Sequence, residues 1–252
     1  MELELTEIQK RIETLVLTTP ARAKHSARSA IRHIQKAWLI RELDREMAVF
    51  HAITGEEEAA TAIIYSLKRH NYPGSDQLNP HSHVHKNAVY PFFLAVGSIL
   101  YLLIEWGLNP QAVINTKDKN PKARVRLTMP GGKQYLYPEP PLHHVLKRDG
   151  KVYDLSDEFR MIVDSSQVAS IDKFLKELAN ERNQLLYAAP GGILTYTQPV
   201  DEMIKSHQSR IFNMLLVYLL VDQYSEHQWF VQQCLNAFLI VLGKLPANFD
   251  FE

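Results

Sequence analysis

Residues 211–221, the run IFNMLLVYLLV, are apolar on most sides of any helix they could form. A helix without a polar face is stable only when other elements surround it. The chain must therefore supply several further helices, and its apolar spacing shows where they lie. Leu5, Ile8, Ile12, Leu15 and Val16 place a first helix within residues 3–17, and Pro20 ends it. A second, about 21–40, carries the stripe Ala27, Ala30, Ile31, Ile34, Ala37 and Trp38. A third, about 44–70, buries Met47, Phe50, Ile53, Ala60, Ile63, Ile64 and Leu67. Within it Thr54 and Glu57 stand at capping-box spacing, which predicts a break or kink near Gly55. A loop dense in Pro, Gly, Asn and Ser precedes an apolar helix that begins near His85 and ends near Gly107–Pro110.

Residues 111–160 depart from this pattern. The run ARVRLTMPGGKQYLYP alternates charged and apolar residues on both sides of Pro130-Gly131-Gly132, as a β-hairpin does, and a second hairpin is expected at Asp149-Gly150. A lone hairpin is marginal, so this segment should pack on the helices. Helix returns over about 167–189, followed by helices over about 200–224 and 226–245. The expected organisation is a single mostly α domain spanning 1–252: N-terminal helices over 1–110, a β-containing insertion over 111–160, and C-terminal helices over 167–245. The apolar C-terminal helices could serve as core or as a dimer face.

Charge and cysteine content narrow the function. Formal net charge is zero, with 28 basic and 28 acidic residues, so any contact with nucleic acid must be a local patch. The single cysteine, Cys234, excludes an internal disulfide and fits a reducing cytoplasm; its apolar helix makes core packing the expectation. The N-terminus lacks the apolar run of a secretion signal. Ala88–Ile104 has no formal charge but falls short of the ~20 apolar residues of a span, so a buried helix and no membrane partner are expected. The glycine turns MPGGK and APGG lack phosphate-loop spacing, and no cofactor is expected.

The helix over 167–189 raises the sharpest question. Its stripe runs Val168, Ile171, Phe174, Leu175, Leu178, then Arg182, then Leu185 and Leu186. A guanidinium keeps its charge in any surroundings, so a buried one needs an acceptor. One answer is a carboxylate of the chain itself, from Glu56, Glu57 or Glu58, which makes a helix–helix ion pair. The other is a phosphodiester. Asn183 and Tyr187 share a helix face, Arg182 lies beside them, and together they offer donors to an anion.

Arg182-Asn183, three further residues and then Tyr187 resembles the Arg-Asn-x-x-x-His signature of the HEPN superfamily (higher eukaryotes and prokaryotes nucleotide-binding), with Tyr in the histidine's place. The stretch SARSAIRHIQKAWLIRELDREMAVFHAITGEEEAATAIIYSLK is similar to that family's opening helical pair. The resemblance covers roughly residues 21–70 and 167–224. It implies a HEPN-like helical bundle carrying a small β-hairpin insertion, usually a homodimer. It also implies a metal-independent endoribonuclease of the toxin or phage-defence type, with RNA as partner and a protein partner or antitoxin as a further one. Carried over, Arg182 binds the scissile phosphate, Asn183 orients it and Tyr187 takes the acid/base position, with Glu56, Glu57 and Glu58 as support. Tyrosine titrates near ~10, against ~6.5 for histidine, so at neutral pH it can donate a proton but not accept one. The base must come from elsewhere, and His81, His83, His85, His143 and His144 are the available imidazoles.

Two further patterns bear on function. Lys24, Arg28, Arg32 and Lys36, four residues apart on the second helix, form a basic stripe. Between positions 20 and 41 there are six Lys/Arg and no acid, a pattern that fits either an RNA backbone or a solvated face. His81, His83 and His85 alternate, and in an extended segment would project together as metal ligands, giving a metal-dependent hydrolase as an alternative. His143 and His144 read as loop residues. A third alternative is a non-catalytic helical interaction or scaffold protein in which Arg182 serves only as an ion-pair residue.

Overall fold

The structure, a computed structural model, describes residues 2–18, 21–105, 107–115, 119–165, 170–186 and 198–246; for residues 18, 21, 98–103, 105, 178 and 181–186 it describes the backbone alone. The described residues form eight α-helices: α1 Glu7–Thr18, α2 Ala21–Ile40, α3 Arg45–Arg69, α4 His83–Glu105, α5 Ser156–Ser165, α6 Ile171–Leu186, α7 Val200–Asp222 and α8 Trp229–Val241. Between α4 and α5 lie five short strands: β1 Asn109–Ile114, β2 Ala123–Thr128, β3 Tyr135–Leu136, β4 Lys147–Arg148 and β5 Lys151–Val152.

Helix α3 is the centre of the bundle and packs against α2, α4, α6 and α7. Asp44 caps its start, accepting from the Met47 amide at 2.9 Å. The helix then runs unbroken past Gly55, contrary to the expected kink. Thr54 does not cap a new segment; its hydroxyl donates back to the Phe50 carbonyl at 2.8 Å. Gly55 is there for close approach. A Cβ at this position would sit 2.7 Å from Ile211 Cδ1 and 3.2 Å from the Ala30 carbonyl oxygen, so α2 and α7 close on α3 where it has no side chain. The fully buried alanines Ala27, Ala30 and Ala37 of α2, and Ala48, Ala52 and Ala59 of α3, allow the same tight approach along the rest of the pair. In α7, Ile211, Met214, Leu215, Tyr218 and Leu219 are essentially inaccessible, as the all-round apolar run demands. No helix among the described residues is long and apolar enough to cross a membrane.

Both expected hairpins are present. β2 turns into β3 through Gly131 and Gly132, which have φ of 90° and 72°, and β4 turns into β5 through Asp149 and Gly150. Two elements differ from expectation. β1 pairs antiparallel with β2 over six residues, from Asn109↔Thr128 to Ile114↔Ala123, so the first sheet has three strands in the order β1-β2-β3. Helix α5 occupies the end of the segment expected to be β. Asp154 accepts from the Ser156 amide at 2.8 Å to start it, and Phe159 and Val163 bury its inner face. The described part of α6 accordingly starts at Ile171 rather than near residue 167.

Glutamine side chains fasten the β segment to the last two helices. Gln223 accepts from the Ala123 amide at 2.8 Å. Gln228 accepts from the Leu142 amide and donates to the Leu220 carbonyl, both at 2.8 Å. Gln233 accepts from the Leu146 amide at 3.0 Å and donates to the Tyr153 carbonyl at 2.8 Å. Each amide side chain satisfies loop backbone that would otherwise be buried without a partner.

Candidate functional site

Three consecutive glutamates on one helix point ~100° apart, because a turn takes ~3.6 residues. On α3 they therefore meet three different neighbours. Glu56 faces α7, where His207 Nδ1 lies 2.6 Å and Arg210 Nη1 3.6 Å from Oε1. Glu57 faces α4, where His83 Nδ1 lies 2.8 Å from Oε1, Lys86 Nζ 2.9 Å from Oε2 and Asn87 Nδ2 3.4 Å from Oε1. Glu58 hydrogen-bonds Ser26 and Ser29 of α2. Arg210 also lies over the Tyr90 ring at 5.1 Å, which ties α7 to α4 beside the glutamates.

Two of these acids, Glu57 and Glu58, have their pKa values moved in opposite directions. Burial pushes the Glu57 carboxyl up, but the hydrogen bonds and charges of Lys86 and His83 outweigh it and hold the group below the usual carboxylate range. Glu58 is raised by its own burial, with the neighbouring Glu57 charge adding to it against Lys86 and the two serines. An ionised Glu57 can only accept, so His83 Nδ1 carries the hydrogen of this pair. Glu57 is 2% exposed and Lys86 10%, while the His83 side chain is 44% exposed. The arrangement is a solvent-reachable imidazole whose orientation and tautomer are set by a buried carboxylate. An imidazole is the side chain most often used for general acid or base work, and that work needs no metal.

The sequence-derived residues fall into separate groups. Glu56, Glu57, Glu58 and His83 come together on the α3–α4–α7 seam. Helix α6, whose backbone includes Arg182 and Asn183, packs against both α3 and α4. The side chains of Arg182 and Asn183, and all of Tyr187, lie outside the described residues. The basic stripe is real as a surface: Arg28, Arg32 and Lys36 are exposed, Lys24 is half-buried, and none forms an ion pair among the described residues.

The histidine triplet does not form the expected extended ligand set. His83 and His85 belong to the first turn of α4, where two residues apart means opposite directions. His83 turns to Glu57. His85 is buried and accepts from the Asn79 amide at 3.0 Å, and burial with the Lys244 charge lowers its pKa. His81 is exposed on the preceding loop. No group of three or more His, Cys, Asp or Glu side chains among the described residues could hold a metal ion. His143 and His144 sit in a loop, as expected: His143 Nδ1 is 3.1 Å from the His227 carbonyl, and His144 stacks on Phe230. Cys234 is packed in apolar surroundings that push its thiol pKa up, so it is no nucleophile.

Lys86, Asn87, His207 and Arg210 were not anticipated from sequence. A signal exists for each. Lys86-Asn87 interrupts the start of an apolar helix, and His207 and Arg210 stand three apart beside the apolar run of α7. Comparison of the chain with protein-family models, with curated proteins and with solved structures gives no match.

Proposed function

We propose that this chain is a HEPN-like, RNA-directed protein of the toxin or phage-defence kind that cleaves RNA without a metal, acting as a homodimer. The observation that carries the reading is His83 of α4 held by Glu57 of α3, on the two helices that α6 also packs against. It supplies the imidazole that the Arg182-Asn183…Tyr187 signature lacks.

In this reading His83 Nε2 takes the proton of a ribose 2′-hydroxyl as its oxygen bonds to the adjacent phosphorus. Tyr187, which at neutral pH is protonated, gives its proton to the departing 5′-oxygen, and the products are a 2′,3′-cyclic phosphate and a 5′-hydroxyl. Arg182 and Asn183 hold the phosphate oxygens while charge builds on them, an effect typically worth ~3–4 kcal/mol per well-placed donor. Incubation with mixed RNA in EDTA tests it. Cleavage should persist and leave cyclic-phosphate ends, and His83→Ala and Arg182→Ala should each reduce it at least a hundredfold. Cleavage lost in EDTA, or unchanged in both variants, would sink the mechanism.

One observation favours a second reading. Glu57 already has Lys86 at 2.9 Å as its counter-charge, which suits an ion-pair network built for stability in a non-catalytic scaffold. A parent protein that leaves RNA intact under all metal conditions, together with a Glu57→Ala variant that is strongly destabilised, would select this one.

A further inference from the structure

The β segment is basic: residues 109–152, from β1 to β5, hold nine Lys/Arg and three acids, in a protein whose totals are equal. The three-stranded sheet divides its residues between two faces. Val125 and Leu127 of β2, with Pro110 and Ala112 of β1, line an apolar cavity against the helices. By strand alternation the other face carries Arg124, Arg126 and Thr128, and across the register Gln111 and Tyr135. There Arg126 lies over the Tyr135 ring at 4.8 Å and donates to Gln111 Oε1. Its Nε is closed to water and has no hydrogen-bond partner among the described residues. Tyr135 is 53% exposed and Tyr137 51%, two residues apart on the edge-strand side of the sheet.

From these features we infer that the outer face of the β1-β2-β3 sheet is a docking platform for single-stranded RNA, which rests on the RNA-directed reading above and adds to it how the substrate is held. The charge sign selects a polyanion. The tyrosines select single strands over duplex, because a phenol ring can stack only on a base that has left its own stack. Tyr135 opens β3 and Tyr137 follows directly after its last residue, so the two rings can each take one base of the same nucleic-acid strand. Arg126 fixes the Tyr135 ring from one side and leaves a cation beside the nucleotide's phosphate. Lys133, exposed at the β2–β3 turn, extends the positive track at that end.

Fluorescence anisotropy with a labelled uridine 12-mer tests the platform, using the full chain with His83→Ala so that the probe stays intact. Expected are binding that favours the single strand over a duplex of equal length, and a loss of tenfold or more in Tyr135→Ala/Tyr137→Ala. Tyr135→Phe/Tyr137→Phe, which keeps the rings, should bind like the parent. Arg126→Ala should reduce the salt slope by ~0.7, as one phosphate contact is lost. Tyr135 and Tyr137 are exposed, so their variants should melt at the parent's temperature, while Arg126→Ala, which removes a half-buried side chain, is read by its salt slope. If the alanine variants bind as the parent does while the parent still binds and cuts RNA, the platform is wrong and the ribonuclease reading stands. If the parent neither binds nor cuts any RNA, that reading fails and the platform goes with it.

Discussion

The seam at the centre of α3 and the outer face of the sheet use charge in opposite ways. On the seam, every described carboxylate is answered by the chain: Glu56 by His207 and Arg210, Glu57 by His83 and Lys86, Glu58 by two serines. On the sheet, Arg126 is braced by a ring and an amide and meets no acid among the described residues. Charges answered internally report on stability when removed. Charges merely held in place report on binding. The difference gives each region its own readout.

The sharpest way to break the comparison is at Glu57. Glu57→Ala leaves Lys86 nearly buried without its counter-ion, and loss of one member of such a pair costs ~3–5 kcal/mol. Urea unfolding should show it as a lower midpoint with unchanged slope; a shift below ~1 kcal/mol would mean that water, not Glu57, carries Lys86.

A smaller effect separates Glu57 from Glu58 by pH. Glu57 has a depressed folded pKa, so its contribution is present above the unfolded value and lost as pH falls through the folded one. Glu58 has a raised folded pKa, so its contribution is complete below the unfolded value and lost as pH rises through the folded one. Melting curves across the acid-to-neutral range should therefore show Glu58→Gln gaining on the parent as pH rises, and Glu57→Gln falling behind over the same interval. Parallel curves for the two variants would contradict the opposite shifts. The smallest expected effect is on the sheet, where Lys133→Ala, at the exposed β2–β3 turn, should change stability by no more than ~0.5 kcal/mol.

The helices were legible because their burial is periodic: all six stripe residues assigned to α2 are buried. The two turns were legible because Pro130-Gly131-Gly132 and Asp149-Gly150 demand positive φ. β1 was not, since Asn109-Pro110 at its start reads as a helix end, and its strand character comes from pairing with β2. Gly55 misled for a related reason. A glycine signals either a turn or a close approach, and only the presence of α2 and Ile211 decides which. At the site, spacing identified residues that need partners but not which helix would supply them. The three glutamates are legible as acids that need partners, but His83 and Lys86 of α4 and His207 and Arg210 of α7 are not legible as theirs; the side chain of Arg182, the partner the α6 stripe suggests, lies outside the described residues. α5 was legible in principle, since Leu155, Phe159 and Val163 recur every four residues, but the alternation before it masked the change of period.

Three adjacent acids gripping three different helices also fix where α3 can sit. Advancing it by one residue would swing Glu57 toward the groups that hold Glu58 or Glu56, and every pairing would be exchanged at once. A one-residue deletion between Asp44 and Gly55 should thus be far more damaging than any single substitution there, because it turns the whole triad like a lock cylinder against pins cut for another setting.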